Sequence, residues 1–249
     1  YMESFLERAL EWLGTYHAPV IVLSATLPQK RRFDLIKAYL GKKDMDENAD
    51  WCNTAGYPLF TWTDGEQVCQ KQMSLGVEKD IIQVIRSKDE ECMDILKNSL
   101  KDGGCAGIIL NTVARAQDFA QKISECFPEC EMIQMHSQFI ISDRAEIERE
   151  ILKRAGKNST PEQRNKRIIV GTQVLEQSLD IDFDVMITDL CPMDLLLQRI
   201  GREHRHKGRK RPLCLQKAKC YVLTETRVVY DKWLLQRTAD KLPEHFCFP

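Results

Sequence analysis

The stretch "RIIVGTQVLEQSLDIDFDVMITDLCPMDLLLQRIG" (residues 167–201) decides the fold. It contains two short apolar runs, "RIIVG" and "DVMITD", which predict buried strands. In "MDLLLQRIG", the leucines and the isoleucine recur at the spacing of one helix face. A strand, a turn, a second strand and a helix therefore follow one another. This order predicts an α/β fold whose sheet is mostly parallel and carries helices on both faces.

The same alternation continues outward from this stretch. Upstream, "AGIILNT" and "EMIQMHS" predict strands between helices, and downstream "KAKCYVLTET" predicts the last strand. Nearer the N-terminus, helices should end at Gly14 and Gly41, and Asp64–Gly65 predicts a hairpin turn. Between these helices, the apolar run "APVIVLSATLP" (residues 18–28) predicts another buried parallel strand.

Composition narrows the class of protein and the kind of site. The net charge of −1 means that a site for phosphate or nucleic acid must come from local clustering of basic residues. The ten cysteines form no C-x-x-C pair, so we expect reduced thiols and a cytoplasmic location. No apolar run approaches the roughly 20 residues that span a bilayer, and no signal peptide is recognisable.

Small polar residues follow the predicted strands. Ligands of open α/β sheets bind beyond the carboxyl ends of the strands, so these residues predict a ligand-lined edge. Helix capping is the alternative for any one of them, for example Thr112. The residues at these ends are Ser24, Thr26, Asn111, Thr112, His136, Ser137, Thr172, Gln173 and Asp189.

The segment after "RIIVG" has two readings. The Thr172 hydroxyl, next to exposed backbone N–H groups, suits a phosphate contact. Asp180, eight residues later, could orient an arginine or hold a ribose hydroxyl. Alternatively, Asp180 and Asp182 are solvated turn charges.

The pattern Q-x-x-G-R-x-x-R is formed by Gln198, Gly201, Arg202 and Arg205. On a helix, Arg202 and Arg205 would share a face, and guanidinium groups bind phosphate oxygens bidentately. Two such groups on one γ-phosphate would stabilise the transition state of phosphoryl transfer. The basic run at 207–211 is either a solvated loop or a contact to a phosphate backbone.

These stretches resemble, in order, the motifs of superfamily 2 helicases. "SAT" (24–26) resembles the motif that couples hydrolysis to unwinding, while "ILNTVARAQDF", "GTQVLEQSLDID" and "QRIGREHR" resemble motifs IV, V and VI. Three further segments are similar in sequence to the helicase-nuclease of type I CRISPR systems: "VLSATLP", "MHSQFIISDRAEIE" and "YDKWLLQRT". The helicase core of that family has two RecA-like domains. Ser178 departs from the glycine that many superfamily 2 helicases have there.

The resemblance implies three groups of site residues. The coupling residues are Ser24 and Thr26. The nucleotide-binding residues are Asp180, Gln198, Arg202 and Arg205, the last three of which are also the expected catalytic residues. The nucleic-acid-binding residues are Thr112, Arg115, His136, Arg144, Thr172 and Gln173. No residues are expected to hold a metal ion.

The resemblance also implies cofactors and domains. The sequence has no Walker A motif, and "DEEC" (89–92) is rejected as a Walker B motif because the preceding "RSK" (86–88) is not an apolar strand. ATP and Mg²⁺ should therefore be held mainly by the missing first domain, with the chain beginning just after the Walker B segment. We expect residues 1–57 to end the first RecA-like domain, 58–225 to form the second, and 226–249 to start a linker to an accessory domain.

The function implied is part of an ATP-dependent translocase or helicase for single-stranded DNA in antiviral defence, with a nuclease elsewhere in the protein. The implied partners are single-stranded DNA, a CRISPR RNA-guided surveillance complex and the missing N-terminal helicase and nuclease domains, with no membrane. Two alternatives stay open: the second lobe of another superfamily 2 DNA or RNA helicase, and a non-catalytic RecA-like lobe that binds a protein partner.

Overall fold

The computed structural model describes residues 2–24, 27–42, 44–54, 56, 58–73, 80–176, 179–225 and 229–248. The chain divides into two compact units, Tyr1–Val77 and Glu78–Pro249. This division differs from the boundary expected after residue 57. The hairpin that follows that position belongs to the first unit, where the side chain of Gln70 donates a 2.9 Å hydrogen bond to the carbonyl of Trp51.

The first unit consists of two helices and a hairpin: α1 (Met2–Thr15), α2 (Gln29–Leu40), β1 (Leu59–Thr63) and β2 (Val68–Gln72). The antiparallel pairing of β1 with β2 confirms the predicted turn at Asp64–Gly65. Gly41 ends α2 in the left-handed conformation, also as predicted. Gly14, however, lies inside α1, where a Cβ atom would collide with the carbonyl of Tyr39. It permits close packing of the two helices rather than ending the first.

The strand predicted from "APVIVLSATLP" is wrong for the described part of that segment. Residues 18–24 have no regular secondary structure, and Ile21 and Leu23 are 85% and 88% exposed. A strand requires a neighbour to complete its backbone hydrogen bonds. In the described part of the first unit, the strands are β1 and β2, and they pair with each other. Ser24 ends this exposed segment, and Thr26 lies outside the described residues.

The second unit is a seven-stranded sheet in the order β5-β6-β4-β7-β8-β3-β9. Every pairing is parallel except that of β3 with β9, which confirms the predicted α/β class. Its elements are β3 (Asp80–Ser87), α3 (Cys92–Ser99), β4 (Cys105–Ile109), α4 (Val113–Cys126), β5 (Glu131–Met135), α5 (Ile141–Ala155), α6 (Pro161–Arg164), β6 (Arg167–Gly171), β7 (Val185–Asp189), α7 (Met193–Ile200), β8 (Lys219–Leu223), α8 (Lys232–Lys241) and β9 (His245–Phe248).

Two apolar layers hold this sheet between helices. Along β4, Ala106 and Ile108 face a layer that contains residues of α3 and α4. Cys105 and Ile109 face the opposite layer, which contains residues of α5, α7 and α8. This alternation follows the two-residue period of a strand, and all four side chains are fully buried. Burial on both faces explains why the strand sequence is a continuous apolar run.

Two strands were missed in the sequence. β3 ends at Ser87, with one residue between it and "DEEC", so the expectation that no strand precedes this segment was wrong. The C-terminal segment, expected to start a linker, instead adds β9 to the edge of the sheet, where Phe246 pairs with Ile82. Leu235 of α8 is buried against the same core. The described residues of this segment therefore belong to the second unit.

Candidate functional site

The carboxyl ends of β4 and β6 lie side by side, as parallel pairing requires. The side-chain amide of Gln173 bridges them by donating a 3.1 Å hydrogen bond to the carbonyl of Asn111. The same amide group lies 3.1 Å from the hydroxyl of Tyr230, which precedes α8. Thr172, the other predicted residue at the end of β6, is only 2% exposed. We call these strand ends the carboxyl edge.

Arg115 and Thr112 have structural partners at this edge. The guanidinium of Arg115 is paired with Asp89 at 2.6 Å and with Asp189 at 2.9 Å, and the Asp89 hydrogen bonds raise its pKa. Asp189 is buried, which raises its own pKa, and it accepts a hydrogen bond from the backbone of Asn111. The Thr112 hydroxyl caps α4 by accepting from the Arg115 backbone N–H. The capping alternative considered for Thr112 is therefore realised.

The two remaining residues of the predicted nucleic-acid group have different environments. His136 is buried and stacks on Phe139, with 4.3 Å between ring centroids, and burial lowers its pKa. Its Nδ1 atom is buried without a hydrogen-bond partner. Arg144 is exposed on α5 and pairs with Glu148 of the same helix at 2.9 Å. The structure thus brings His136 to a strand end and leaves Arg144 on an outer helix.

The arginines of the Q-x-x-G-R-x-x-R pattern do not share a helix face, contrary to the expectation. α7 ends at Ile200, and Gln198 is exposed in its last turn. Beyond the helix, the carbonyl of Arg202 accepts a hydrogen bond from the backbone N–H of Phe183 at 2.8 Å. His204 adopts a positive φ of 49°. Tertiary pairing with the segment before β7 therefore replaces the helix at these positions.

Arg202 and Arg205 nevertheless lie together beside the segment that resembles motif V. Both terminal nitrogens of Arg202 donate 2.7 Å hydrogen bonds to backbone carbonyls, one of Leu179 and one of Glu176. Burial and the Arg205 charge lower the pKa of Arg202. Arg205 is 42% exposed and pairs with Asp180 at 2.9 Å. We call Asp180, Arg202 and Arg205 the outer arginine site.

The electrostatics of the outer arginine site favour a charged Asp180. Its carboxylate contacts both Arg205 and His206, the latter at 3.0 Å. Burial acts to raise its pKa, but the contacts with His206, Arg205 and Arg202 leave that pKa below the ordinary value. A partly exposed guanidinium next to a carboxylate can exchange that partner for a phosphate oxygen of similar geometry.

An ion pair that was not predicted involves Glu176, whose backbone carbonyl accepts the hydrogen bond from Arg202. Arg199 is fully buried, and its Nε donates to the buried carboxylate of Glu176 at 2.6 Å. Its Nη1 also donates to the Thr188 hydroxyl at 2.9 Å. We call this pair the inner arginine site. The sequence held a signal for it, because Arg199 is three residues after Leu196 and so falls on the apolar face of α7.

The basic run at 207–211 was predicted to be either a solvated loop or a contact to a phosphate backbone, and two of its arginines fit neither prediction. The side chain of Arg211 pairs with buried Asp182 at 2.8 Å and also with Asp184. Arg209 donates to the carbonyls of Ser159 and Gly156, both at 2.9 Å. These two arginines hold the loop in place. Asp182 is correspondingly 0% exposed rather than a solvated turn charge.

Three general features complete the description. Within the described residues, no group of three or more His, Cys, Asp or Glu side chains could hold a metal ion. In that same part of the chain, no helix is long and apolar enough to cross a membrane. All ten cysteines are free thiols, as predicted.

Comparison with known proteins decides the family. The profile of "CRISPR-associated nuclease/helicase Cas3, C-terminal" matches residues 102–208. The CRISPR-associated nuclease/helicase Cas3 of Streptococcus thermophilus is 45% identical over 262 residues, which cover 100% of this chain and 28% of that protein. The chain belongs to the Cas3 family. It spans less than a third of the length of this relative.

Solved structures of the Cas3 family agree with this assignment. T. fusca Cas3 with AMPPNP has a TM-score of 0.86 and 32% identity, covering 96% of this chain and 31% of that one. A chain of a CRISPR RNA-guided surveillance complex, pre-nicking, has a TM-score of 0.79 and 30% identity, covering 96% of this chain and 33% of that one. The resemblance first recognised in the motifs therefore extends over nearly the whole chain.

Proposed function

We propose that this chain is part of an ATP-dependent helicase or translocase that acts on single-stranded DNA in CRISPR antiviral defence in the cytoplasm. Its surveillance-complex partner is proposed from the similarity to a chain of such a complex. The first unit would belong to the first RecA-like domain and the second unit would be the second. ATP and Mg²⁺ would be held mainly by a helicase domain outside this chain, and the nuclease would also lie outside it.

The observation that carries the proposal is the outer arginine site. Arg205 offers a partly exposed guanidinium whose present partner, Asp180, is itself half exposed. A nucleotide phosphate can therefore replace this carboxylate without removing a buried group. The residues present fit the triphosphate of ATP in this respect. ATP hydrolysis would supply the energy for translocation.

The two arginines would have different tasks. Arg205 would contact the γ-phosphate and stabilise the charge that develops during hydrolysis. Arg202 already donates both terminal nitrogens to the carbonyls of Glu176 and Leu179, so it would first position the loop that carries Asp180. Gln198 is exposed one turn earlier and would lie near the same nucleotide. Gln173, which is half-buried after the end of β6, would contact the DNA backbone.

The experiment is an ATPase assay of the full-length protein that contains this chain, with single-stranded DNA as the activator. Arg205→Ala should lower kcat about 10³–10⁵-fold, the range measured for arginine fingers. Arg149→Ala is the matched control, since Arg149 is an exposed arginine of α5. Equal kcat values for these two variants would contradict the assignment of Arg205. Absence of ATPase activity in the unmutated full-length protein would favour the non-catalytic, protein-binding alternative.

A further inference from the structure

The loop after Arg205 and the loop after α5 line a surface cavity of about 490 Å³. Of the residues that line this cavity, the proposed hydrolytic site uses only Arg205. The cavity is lined by Lys157, Asn158, Ser159, Pro161, Arg164, Arg205, His206, Lys207, Gly208, Arg209 and Lys210. The structure describes all of these residues.

The charge of this lining has a single sign. Seven of the eleven lining residues are lysine, arginine or histidine, and none is aspartate or glutamate. Lys157, Lys207 and Lys210 are exposed. Clustered like charges raise the local concentration of counter-ions and favour a polyanionic ligand. Because the net charge of the chain is −1, this cavity is a local exception.

The carboxylates beneath the cavity do not neutralise it. Asp184 pairs with Arg164 at 2.8 Å and with Arg211, and Asp182 pairs with Arg211 at 2.8 Å. Arg209 pairs with Asp182 at 2.6 Å. Three arginines therefore share two carboxylates, and positive charge remains even before the lysines are considered.

The walls of the cavity are fixed before any ligand arrives. Arg209 comes from the loop after Arg205 and donates 2.9 Å hydrogen bonds to the carbonyls of Ser159 and Gly156 in the opposite loop. Its side chain is only 8% exposed. The two loops are thus joined across 50 residues of sequence. A binding site held by such bonds loses less conformational entropy when its ligand binds.

The lining also indicates which anion fits. It contains no Phe, Tyr or Trp side chain on which a base could stack and no acidic side chain to hold a ribose or a Mg²⁺ ion. Contacts of lysine to phosphate alone position a nucleic acid without reading its sequence. We propose that this cavity is a binding site for the phosphodiester backbone of a nucleic acid, separate from the carboxyl edge, with Lys157, Lys207 and Lys210 as its contacts.

The choice of nucleic acid as the ligand rests on the proposed function, whereas the site itself is new. The 249-residue chain is used for its test. The experiment measures fluorescence anisotropy of a labelled oligothymidylate over a range of salt concentrations. The variant carries Lys157→Ala, Lys207→Ala and Lys210→Ala together. Each phosphate contact contributes about 0.7 to the slope of log Kobs against log salt for single strands. The triple variant should therefore bind more weakly and have a slope flatter by about 2.

Two controls separate this site from a general charge effect. A second triple variant, Lys97→Ala with Lys101→Ala and Lys217→Ala, removes the same charge from exposed lysines outside the cavity and should keep the original slope. Replacement of the three cavity lysines by arginine should also keep it. Circular dichroism and thermal unfolding verify that each variant is folded.

Three results would overturn the proposal. The first is the same change of slope in both alanine variants, and the second is an absence of salt-dependent binding by the unmutated chain. The third is release of the oligonucleotide by pyrophosphate or ATP but not by chloride at the same ionic strength. This result would assign the cavity to nucleotide phosphates. The first two results do not bear on Arg205, because the ATPase assay tests that residue without the lysine variants.

Discussion

The inner and outer arginine sites lie six residues apart in the chain, and they differ in almost every physical respect. Arg199 is fully buried and contacts the buried carboxylate of Glu176, while Arg205 is 42% exposed and contacts the half-exposed Asp180. The inner pair cannot be separated without leaving a charge in the core. The outer pair can be separated at little cost, since water and salt screen both partners.

This contrast shows how one loop serves two purposes. Glu176 gives its carboxylate to Arg199 and its backbone carbonyl to Arg202. The buried pair therefore fixes the position of Glu176, and the Glu176 carbonyl then holds Arg202, which lies three residues before Arg205. Of Arg199, Arg202 and Arg205, only Arg205 is exposed enough to change its partner, as its proposed contact with a nucleotide phosphate would require.

The largest expected effect comes from breaking the inner pair. Arg199→Ala should lower the free energy of unfolding by about 3–5 kcal/mol, because it leaves the Glu176 carboxylate buried without its partner. Urea denaturation of the 249-residue chain measures this change. The double variant Arg199→Met with Glu176→Leu is the control and should recover most of the loss, since no buried charge remains. Loss in the double variant as large as in the single one would contradict this explanation.

A smaller, pH-dependent effect on the free energy of unfolding is expected from Glu203. This residue is buried like Glu176, but its carboxyl group accepts a hydrogen bond from the backbone N–H of Lys219 instead of pairing with an arginine. Burial raises the pKa of Glu203 well above its ordinary value, with Arg211, Asp182 and Asp184 as charged neighbours. The folded chain then keeps a proton that the unfolded chain loses above its own pKa of about 4.3. The stability that this proton provides is complete below that pH and is lost as the pH rises through the folded pKa.

The variant Glu203→Gln tests this sign. Between the two pKa values, the group should make the free energy of unfolding fall by up to about 1.4 kcal/mol per pH unit. Glutamine keeps an acceptor for the Lys219 N–H and has no proton to lose, so its curve should be flatter over this range. Urea denaturation from pH 4 to pH 8 gives both curves. Parallel curves would mean that Glu203 does not cause the dependence.

The smallest expected effect is on the stability of the outer site. Arg205→Ala should change the free energy of unfolding by less than about 0.5 kcal/mol, because an exposed ion pair contributes little. The same urea experiment measures it beside Arg199→Ala. A loss above about 1 kcal/mol would show that Arg205 supports the fold, and the difference between the two sites would then disappear.

Local pattern was sufficient for much of the fold. The apolar runs that became β4, β6 and β7 are bounded by turn residues and helical spacing, so their type and order were readable. Residues 18–24 have an equally apolar pattern, but within the described residues no strand pairs with them, and they remain irregular and mostly exposed. The C-terminal strand β9 has four residues, which are too few to show an alternating apolar pattern. Its pairing with β3 is what identifies it as a strand.

The sequence by itself determined which residues of the second unit alternate between strand and helix, and which motifs follow the strand ends. Those properties depend on neighbours within a few positions. Only the tertiary structure decided which arginine is buried, since Arg199, Arg205, Arg209 and Arg211 are chemically alike in one basic stretch. Their partners, Glu176, Asp180, Asp182 and Asp184, lie about 25 residues away in the chain, and folding alone brings each carboxylate to its arginine.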